Sequence, residues 1–310
     1  MHHLPLPRRR QVAACVALAT AGALLLTGCD DGGQAAAASD PVQDIRGKLP
    51  KAQRSAGVLR IGMDVNYAPV EFRGSDGKPD GLDPDIANAL GKILDVRIEI
   101  VDTPFDKLVP GLQAKQFDMA MSAISDIRKR REGLDDNGKQ VNPGVDFVDY
   151  FIAGTSIIVP KGNPKGIRNL DDLCGRTVAL QQGTTQDEII TRQVAVCART
   201  GRQLTTRKFD SDAKALAEVA SGAAAAGVND FPVAAYAAKT TDGGNRFEVT
   251  GGQSTSNPYG IALRKDDTAL RDVMAKAVDQ LIRSGDYDKI LGKWNVSAGA
   301  AQNAVVNGGI

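Results

Sequence analysis

In this chain of 310 residues, the residues that could do chemistry suit ion pairing better than bond making. A guanidinium presents a planar fork of donors that grips a carboxylate through two parallel hydrogen bonds. Arg130 offers such a fork, with Arg128 and Arg131 beside it as solvated surface competitors. Gly183-Thr184-Thr185 sits between a strand pattern and a helix pattern. Glycine there lets the backbone approach an anion, and the helix start offers N–H groups without intrahelical partners. A threonine in that place can equally be a plain N-cap. Asp230 ends another strand pattern, where it could pair with a cation or cap the helix that begins at Pro232.

Catalytic chemistry of the common kinds is excluded early. Both histidines, His2 and His3, precede Cys29 in a segment that reads as removable. Arg8 to Arg10 form a positive n-region, and Val12 to Leu26 form an apolar run too short to remain as a mature spanning helix. Leu26-Thr27-Gly28-Cys29 closes that run and resembles a bacterial lipobox, so residues 1–28 are expected to be a signal peptide and Cys29 the lipidated first residue. Acyl chains supply attachment at about 0.8 kcal/mol per buried methylene. Without histidine, Ser-His-Asp and Cys-His catalysis and histidine metal sites fall away. The formal charge of +1 drops to about −2 when the three leader arginines leave, which argues against nucleic acid as a partner. Cys174 and Cys197 then remain as two thiols in an exported body and are expected to pair, as a staple of about 3 kcal/mol.

The elements that must position these residues follow from periodicity. Residues 29–56 are expected to be a tether, Gly- and Ala-rich over Asp30 to Asp40. Val58 to Met63 reads as a strand, and Asp83-Pro84 as the cap and first turn of a helix with Ile86, Leu90 and Leu94 on one face. Val96, Ile98 and Ile100 alternate as a strand; Phe105 to Ala114 is helical; Asp118 to Ser122 is a strand. The rhythm recurs from Thr177 to Thr250, which implies α/β units around parallel sheets. About 250 residues beyond the tether suit two lobes better than one core. The expected division is 57–153 with 254–297 as lobe 1, 154–253 as lobe 2, and 298–310 as a C-terminal tail. Ser156 to Val159 and Gly260 to Leu263 are the expected crossings between lobes. Thr268 to Ser284 and Tyr287 to Trp294 follow as helices.

Taken together, Leu59-Arg60-Ile61-Gly62-Met63-Asp64 with Tyr67-Ala68-Pro69, Gly81 to Ala87, Phe117-Asp118 with Ser122 to Arg130, and Asp146-Phe147 form an ordered set of motifs. Asp172 to Gly175, Gln182 to Thr185, Asn229 to Tyr236, and Tyr287 to Ile290 ending at Lys293-Trp294 complete it. The set resembles the extracellular solute-binding proteins of polar amino acid ABC importers, the family-3, type II periplasmic-binding fold. That resemblance implies an α/β fold of two lobes, each a mostly parallel sheet flanked by helices, joined by two crossover strands. It further implies an amino acid ligand, an ABC permease as partner, a monomer, and no cofactor. By the same resemblance Arg130 grips the α-carboxylate, Gly183, Thr184 and Thr185 complete its cradle, and Asp230 pairs with the α-ammonium. Tyr67 and Phe105 sandwich the ligand side chain, Ser122 and Ser125 offer hydroxyl and carbonyl partners, and Asp64 belongs to the site without fixing specificity. The physics agrees, because burying either charge of a zwitterion unpaired costs several kcal/mol.

Two positions depart from the family pattern: Ile127 stands where threonine is usual and Ala123 where serine or threonine is frequent. Asp135 to Gly144 is a polar insertion, read as a surface excursion. Two rival functions are an exported dehydratase-like enzyme on the same fold and a ligand-presenting sensor for a membrane receptor. An enzyme would need a positioned general acid, and no carboxylate in these motifs is singled out for that task.

Overall fold

The computed structural model describes residues 40–309. The expected leader, the lipid site Cys29 and the stretch Asp30 to Ser39 lie outside the described residues. Two helices come first, α1 (Pro41–Lys48) and α2 (Lys51–Ala56). The chain continues through β1 (Val58–Met63), β2 (Asn66–Tyr67), β3 (Glu71–Arg73), β4 (Pro79–Asp80), α3 (Leu82–Leu94), β5 (Arg97–Asp102), α4 (Leu108–Gln113), β6 (Met119–Ala120) and α5 (Arg128–Glu132). Next come β7 (Val145–Pro160), β8 (Thr177–Gln181), α6 (Thr185–Arg199), β9 (Thr205–Phe209), α7 (Asp212–Ala220), β10 (Ala226–Asp230) and α8 (Phe231–Thr240). Last are β11 (Phe247–Arg264), α9 (Thr268–Arg283), α10 (Asp286–Trp294) and β12 (Ala300–Val306).

One sheet runs in the order β5-β1-β6-β11-β7-β10-β8-β9, and β12 adds to β7. β1 is parallel to β5 and β6, and β8 is parallel to β9 and β10. Between these parallel halves lie β7 and β11, antiparallel to each other and long enough to belong to both. They are the two crossovers. The sequence suggests only their ends, because Ser156 to Val159 and Gly260 to Leu263 are fragments of strands 16 and 18 residues long. The pairing of β7 with β11 slips between Thr250 and Ser256 and again at Tyr259/Gly260.

Apolar side chains collect on two sides of this seam. One set is built from α1, α3, α9, α10, β1, β6 and the first half of β7. In α3, Leu82, Ile86, Leu90 and Leu94 recur every four residues and are buried, as a helix packed by one stripe requires. The other set is built from the second half of β7, β8, β10, α6 and α7. There the Cys174–Cys197 disulfide forms, joining the turn before β8 to the last turn of α6.

Three expectations need correction. Residues 41–56 are not tether: α1 buries Ile45, Leu49 follows it into the core of the first lobe, and the Arg46 guanidinium donates to the Ile93 carbonyl at 2.8 Å near the end of α3. Two aliphatic residues four apart are a short stripe, easily lost in a polar stretch. Residues 298–310 are not a free tail either, since β12 pairs with β7. Finally, α3 starts one residue before Asp83, with Gly81 at its N-cap. The Asp83 carboxylate turns inward instead, accepting from the Tyr150 hydroxyl at 2.6 Å and the Ala123 amide at 3.0 Å.

Candidate ligand-binding cleft

The ends of β1 and β6 in one lobe, and of β8 and β10 in the other, deliver polar residues to a common space. That space is small, about 20 Å³, and its lining includes Asp64, Tyr67, Phe105, Ser125, Arg130, Thr184, Thr185 and Asp230. It is about the room of one water, so any larger guest requires the lobes to part. Side chains from opposite lobes meet across it. The Tyr67 hydroxyl donates to Asp230 Oδ2 at 3.0 Å and accepts from the Asp230 amide at 2.9 Å. Gln181 Nε2 donates to Asp64 Oδ2 at 2.8 Å, and the Ser125 and Thr185 hydroxyls stand 3.5 Å apart. At the rim Lys129 bonds Glu188 at 2.9 Å and Asp136 at 2.5 Å, so the 135–144 insertion reaches the mouth of the cleft.

Among three neighbouring arginines the structure distinguishes one. Arg131 is spent on the Asp126 carboxylate at 2.5 Å, and Arg128 points to Glu132 at 3.9 Å on an exposed face. Arg130 lines the cavity, and its guanidinium donates to two carbonyls, Ser125 at 2.9 Å and Gly183 at 3.2 Å. It also lies over the Phe105 ring, 5.3 Å from the centroid. Carbonyls orient a guanidinium without neutralising it, so its charge stays available. Burial draws its pKa down, against the pull of Glu188, Asp230 and Asp126.

Asp230 is the matching anion. Gln186 Nε2 donates to its Oδ1 at 2.7 Å. Burial raises its carboxyl to about 6, while nearby Tyr259 and Tyr67 hydroxyls, the Gln186 amide and the Arg130 charge pull the other way. The Tyr259 hydroxyl is buried without a hydrogen bond of normal geometry, yet it helps hold the Asp230 carboxyl down. Asp64 is likewise raised by burial, and Asn66 and Gln181 oppose the shift. Glu71 also lines the space; its Oε1 accepts from the Ser122 hydroxyl at 2.8 Å while Oε2 is buried without a partner. Burial and the facing Asp83 push Glu71 well above the ordinary carboxyl range.

Ser122 and Gly183, named from the sequence, lie off the cavity lining, and Thr184 combines lining with a structural task. Ser122 is fully buried behind the cavity, accepting from the Asp64 amide at 3.0 Å. Gly183 adopts φ 75°, its amide donates to Asp187 at 3.2 Å, and only its carbonyl meets Arg130. Thr184 is the N-cap of α6, accepting from the Asp187 amide at 3.1 Å. Gln181, Gln186 and Glu71 were not singled out in the sequence. The first two flank the Gly183-Thr184-Thr185 turn at the end of β8 and start of α6, the one signal that could have found them. A separate groove of about 340 Å³ between α8 and α10 is lined mainly by Phe151, Ile152, Tyr236, Trp294 and Val296; no carboxylate faces it to match a dipolar guest.

The fold that carries this cleft is shared with known proteins. Residues 59–297 match the bacterial extracellular solute-binding proteins, family 3. The chain belongs to that family. It is 28% identical over 270 residues to the arginine-binding protein ArgT of Corynebacterium glutamicum, covering 86% of this chain and 84% of the relative. An ancestral arginine-binding protein bound to arginine superposes with a TM-score of 0.68 at 33% identity, over 77% of this chain and 98% of that one. The ancestral amino acid-binding protein AncCDT-1, a precursor of cyclohexadienyl dehydratase, does so with a TM-score of 0.68 at 34% identity, over 78% and 97% of the two chains. The two-lobed α/β fold and an extracytoplasmic solute-binding role thus belong to this family member.

Proposed function

We propose that this protein captures a polar or charged amino acid between its lobes and delivers it to the permease of an ABC importer, held at the outer face of the cytoplasmic membrane by lipid on Cys29. The observation that carries the reading is the placement of Arg130 and Asp230 on opposite lobes around one cavity. A free amino acid supplies the carboxylate for the first and the ammonium for the second. Its bound form then bridges the lobes and favours closure. Ser125 and Thr185 flank the carboxylate end, and Tyr67 and Phe105 flank the side chain. Asp64 and the Gln181 side-chain carbonyl make the remaining end rich in acceptors, which favours a side chain carrying donors or a positive charge. The names of the arginine-binding relatives support the same choice.

Thermal-shift titration against the 20 common amino acids and opine-like derivatives tests this. A ligand at a hundred times its dissociation constant adds about 2.7 kcal/mol of stability. At least one such compound is expected to raise the unfolding midpoint; a set in which none does so refutes the reading. Purified protein is expected to leave prephenate and arogenate unchanged.

A further inference from the structure

The family match ends at residue 297, and the chain continues into β12 and beyond. After β12, Asn307 locks onto β7: its amide donates to the Phe147 carbonyl at 3.1 Å and its Oδ1 accepts from the Phe147 amide at 2.8 Å. The Gly308 amide then donates to Asp149 Oδ2 at 3.0 Å. Gly309 closes a ring of three groups. Its amide donates to Asp126 Oδ2 at 2.8 Å, its carbonyl accepts from Arg131 Nη1 at 3.0 Å, and Arg131 Nη1 also bonds Asp126 Oδ1 at 2.5 Å. The Asp126 side chain is fully buried there. A Cβ at Gly309 would collide with the Asp126 carbonyl, so the approach is open only to glycine.

What this ring holds is the short segment bearing Arg130. Helix α5 has five residues, four of them basic, and Ile127 at its N-cap provides no side-chain cap. A helix so short and so charged does not hold itself. Two of its anchors are visible: Lys129 on Glu188 and Arg131 on Asp126. The second is shared with Gly309, which bonds both Arg131 and Asp126. Asp126 directly follows Ser125, whose carbonyl orients the Arg130 guanidinium.

We infer that the C-terminal Asn307-Gly308-Gly309 segment is a clasp that positions Arg130 by fixing the Ser125–Arg131 turn from outside the cleft. Its residues touch no ligand and act through Asp126 and Arg131. The effect on affinity rests on the proposed role of Arg130; the clamping of the turn does not. The test uses the full mature chain in three forms: wild type, a chain ending at Val306, and Gly309→Ala, which keeps the length and disturbs only the closure.

Amide exchange of residues 126–131 is read by mass spectrometry, with L-arginine as the binding probe in calorimetry. Both variants are expected to exchange these amides at least tenfold faster, with β8 and α6 unchanged, and to bind L-arginine at least tenfold more weakly. A role in folding alone would lower the unfolding midpoint and leave the dissociation constant of the folded protein unchanged. That result, or exchange equal to wild type, overturns the inference. Should the wild type bind no amino acid, the proposed function fails and the exchange measurement by itself decides for or against the clasp. Gly309→Ala carries the test if the shortened chain does not fold.

Discussion

Replacing Asp230 by asparagine should push stability and affinity in opposite directions. In the folded protein the carboxyl is raised from 3.8 to about 6, because burial disfavours its charge more than its partners repay. Above pH 6 the ionised group therefore weakens the fold relative to a neutral isostere. Two pH units at about 1.4 kcal/mol each give an upper bound of about 3 kcal/mol. Asparagine keeps the shape: its carbonyl can accept from Gln186, and its amide can donate to the Tyr67 hydroxyl in place of the bond that hydroxyl now gives. At pH 7.5 the ligand-free variant should melt higher than wild type, by about 2–4 °C for each kcal/mol recovered. Its affinity for an amino acid should fall by about 2–5 kcal/mol, since the ammonium would be buried without its counter-ion. That is roughly 30-fold to several-thousand-fold. Calorimetry with L-arginine and with its analogue lacking the α-amino group separates the causes. Wild type should prefer the amino acid strongly, and the variant should bind both with similar weakness. An equal loss for both compounds, or a lower melting point with affinity intact, would refute this account of Asp230.

Three further outcomes follow from the structure. Arg130→Ala should cost about 2–5 kcal/mol of binding, checked by calorimetry, because Arg131 is held by Asp126 and Arg128 lies on an exposed face outside the cavity; affinity within twofold of wild type would exclude it as the carboxylate fork. Cys174→Ser with Cys197→Ser should lower unfolding stability by about 3 kcal/mol in denaturant melts, with ligand affinity changed less, because the bridge ties the end of α6 farthest from Thr185. Asp149 and Asp212, both raised to about 7 mainly by burial, bind protons in the folded state at pH values where the unfolded chain has lost them. Stability of the ligand-free protein should then rise as pH falls from 8 to 6, and amino acid affinity should fall as Asp230 protonates near 6. Melts and titrations across that range read both; stability that declines steadily with acid would contradict the burial of these groups.

How much of this was legible beforehand depended on whether residues interact locally. Strand β1 spans Val58 to Met63 as read from the sequence, and α9 matches its apolar stripe of Leu270, Val273, Ala277 and Leu281 to within a residue. Thr184 caps α6 as a threonine in that place can. What sequence spacing could not reveal was partnership across the fold. Nothing near Asp83 announces Tyr150, and nothing near Asp126 announces Gly309. Only parts of β7 and β11 read as strands, Ser156 to Val159 in the first and Phe247 to Thr250 with Gly260 to Leu263 in the second, because the Gly-Gly-Gln-Ser-Thr-Ser run at 251–256 looks like a loop while remaining within the strand. The resemblance assigns Arg130, Tyr67, Thr185 and Asp230 to one site, but nothing in the sequence announces the bond between Tyr67 and Asp230.

That same run is exposed and carries the slipped register between Thr250 and Ser256, so a swivel of the proposed two lobes about it would break few ladder bonds. Gly251 and Thr255 adopt positive φ there, at 69° and 45°. A donor and an acceptor dye placed on α3 and α7 would convert that swivel into a change in energy transfer. The molecule is thereby laid out as a reagentless optical sensor for whichever metabolite it captures.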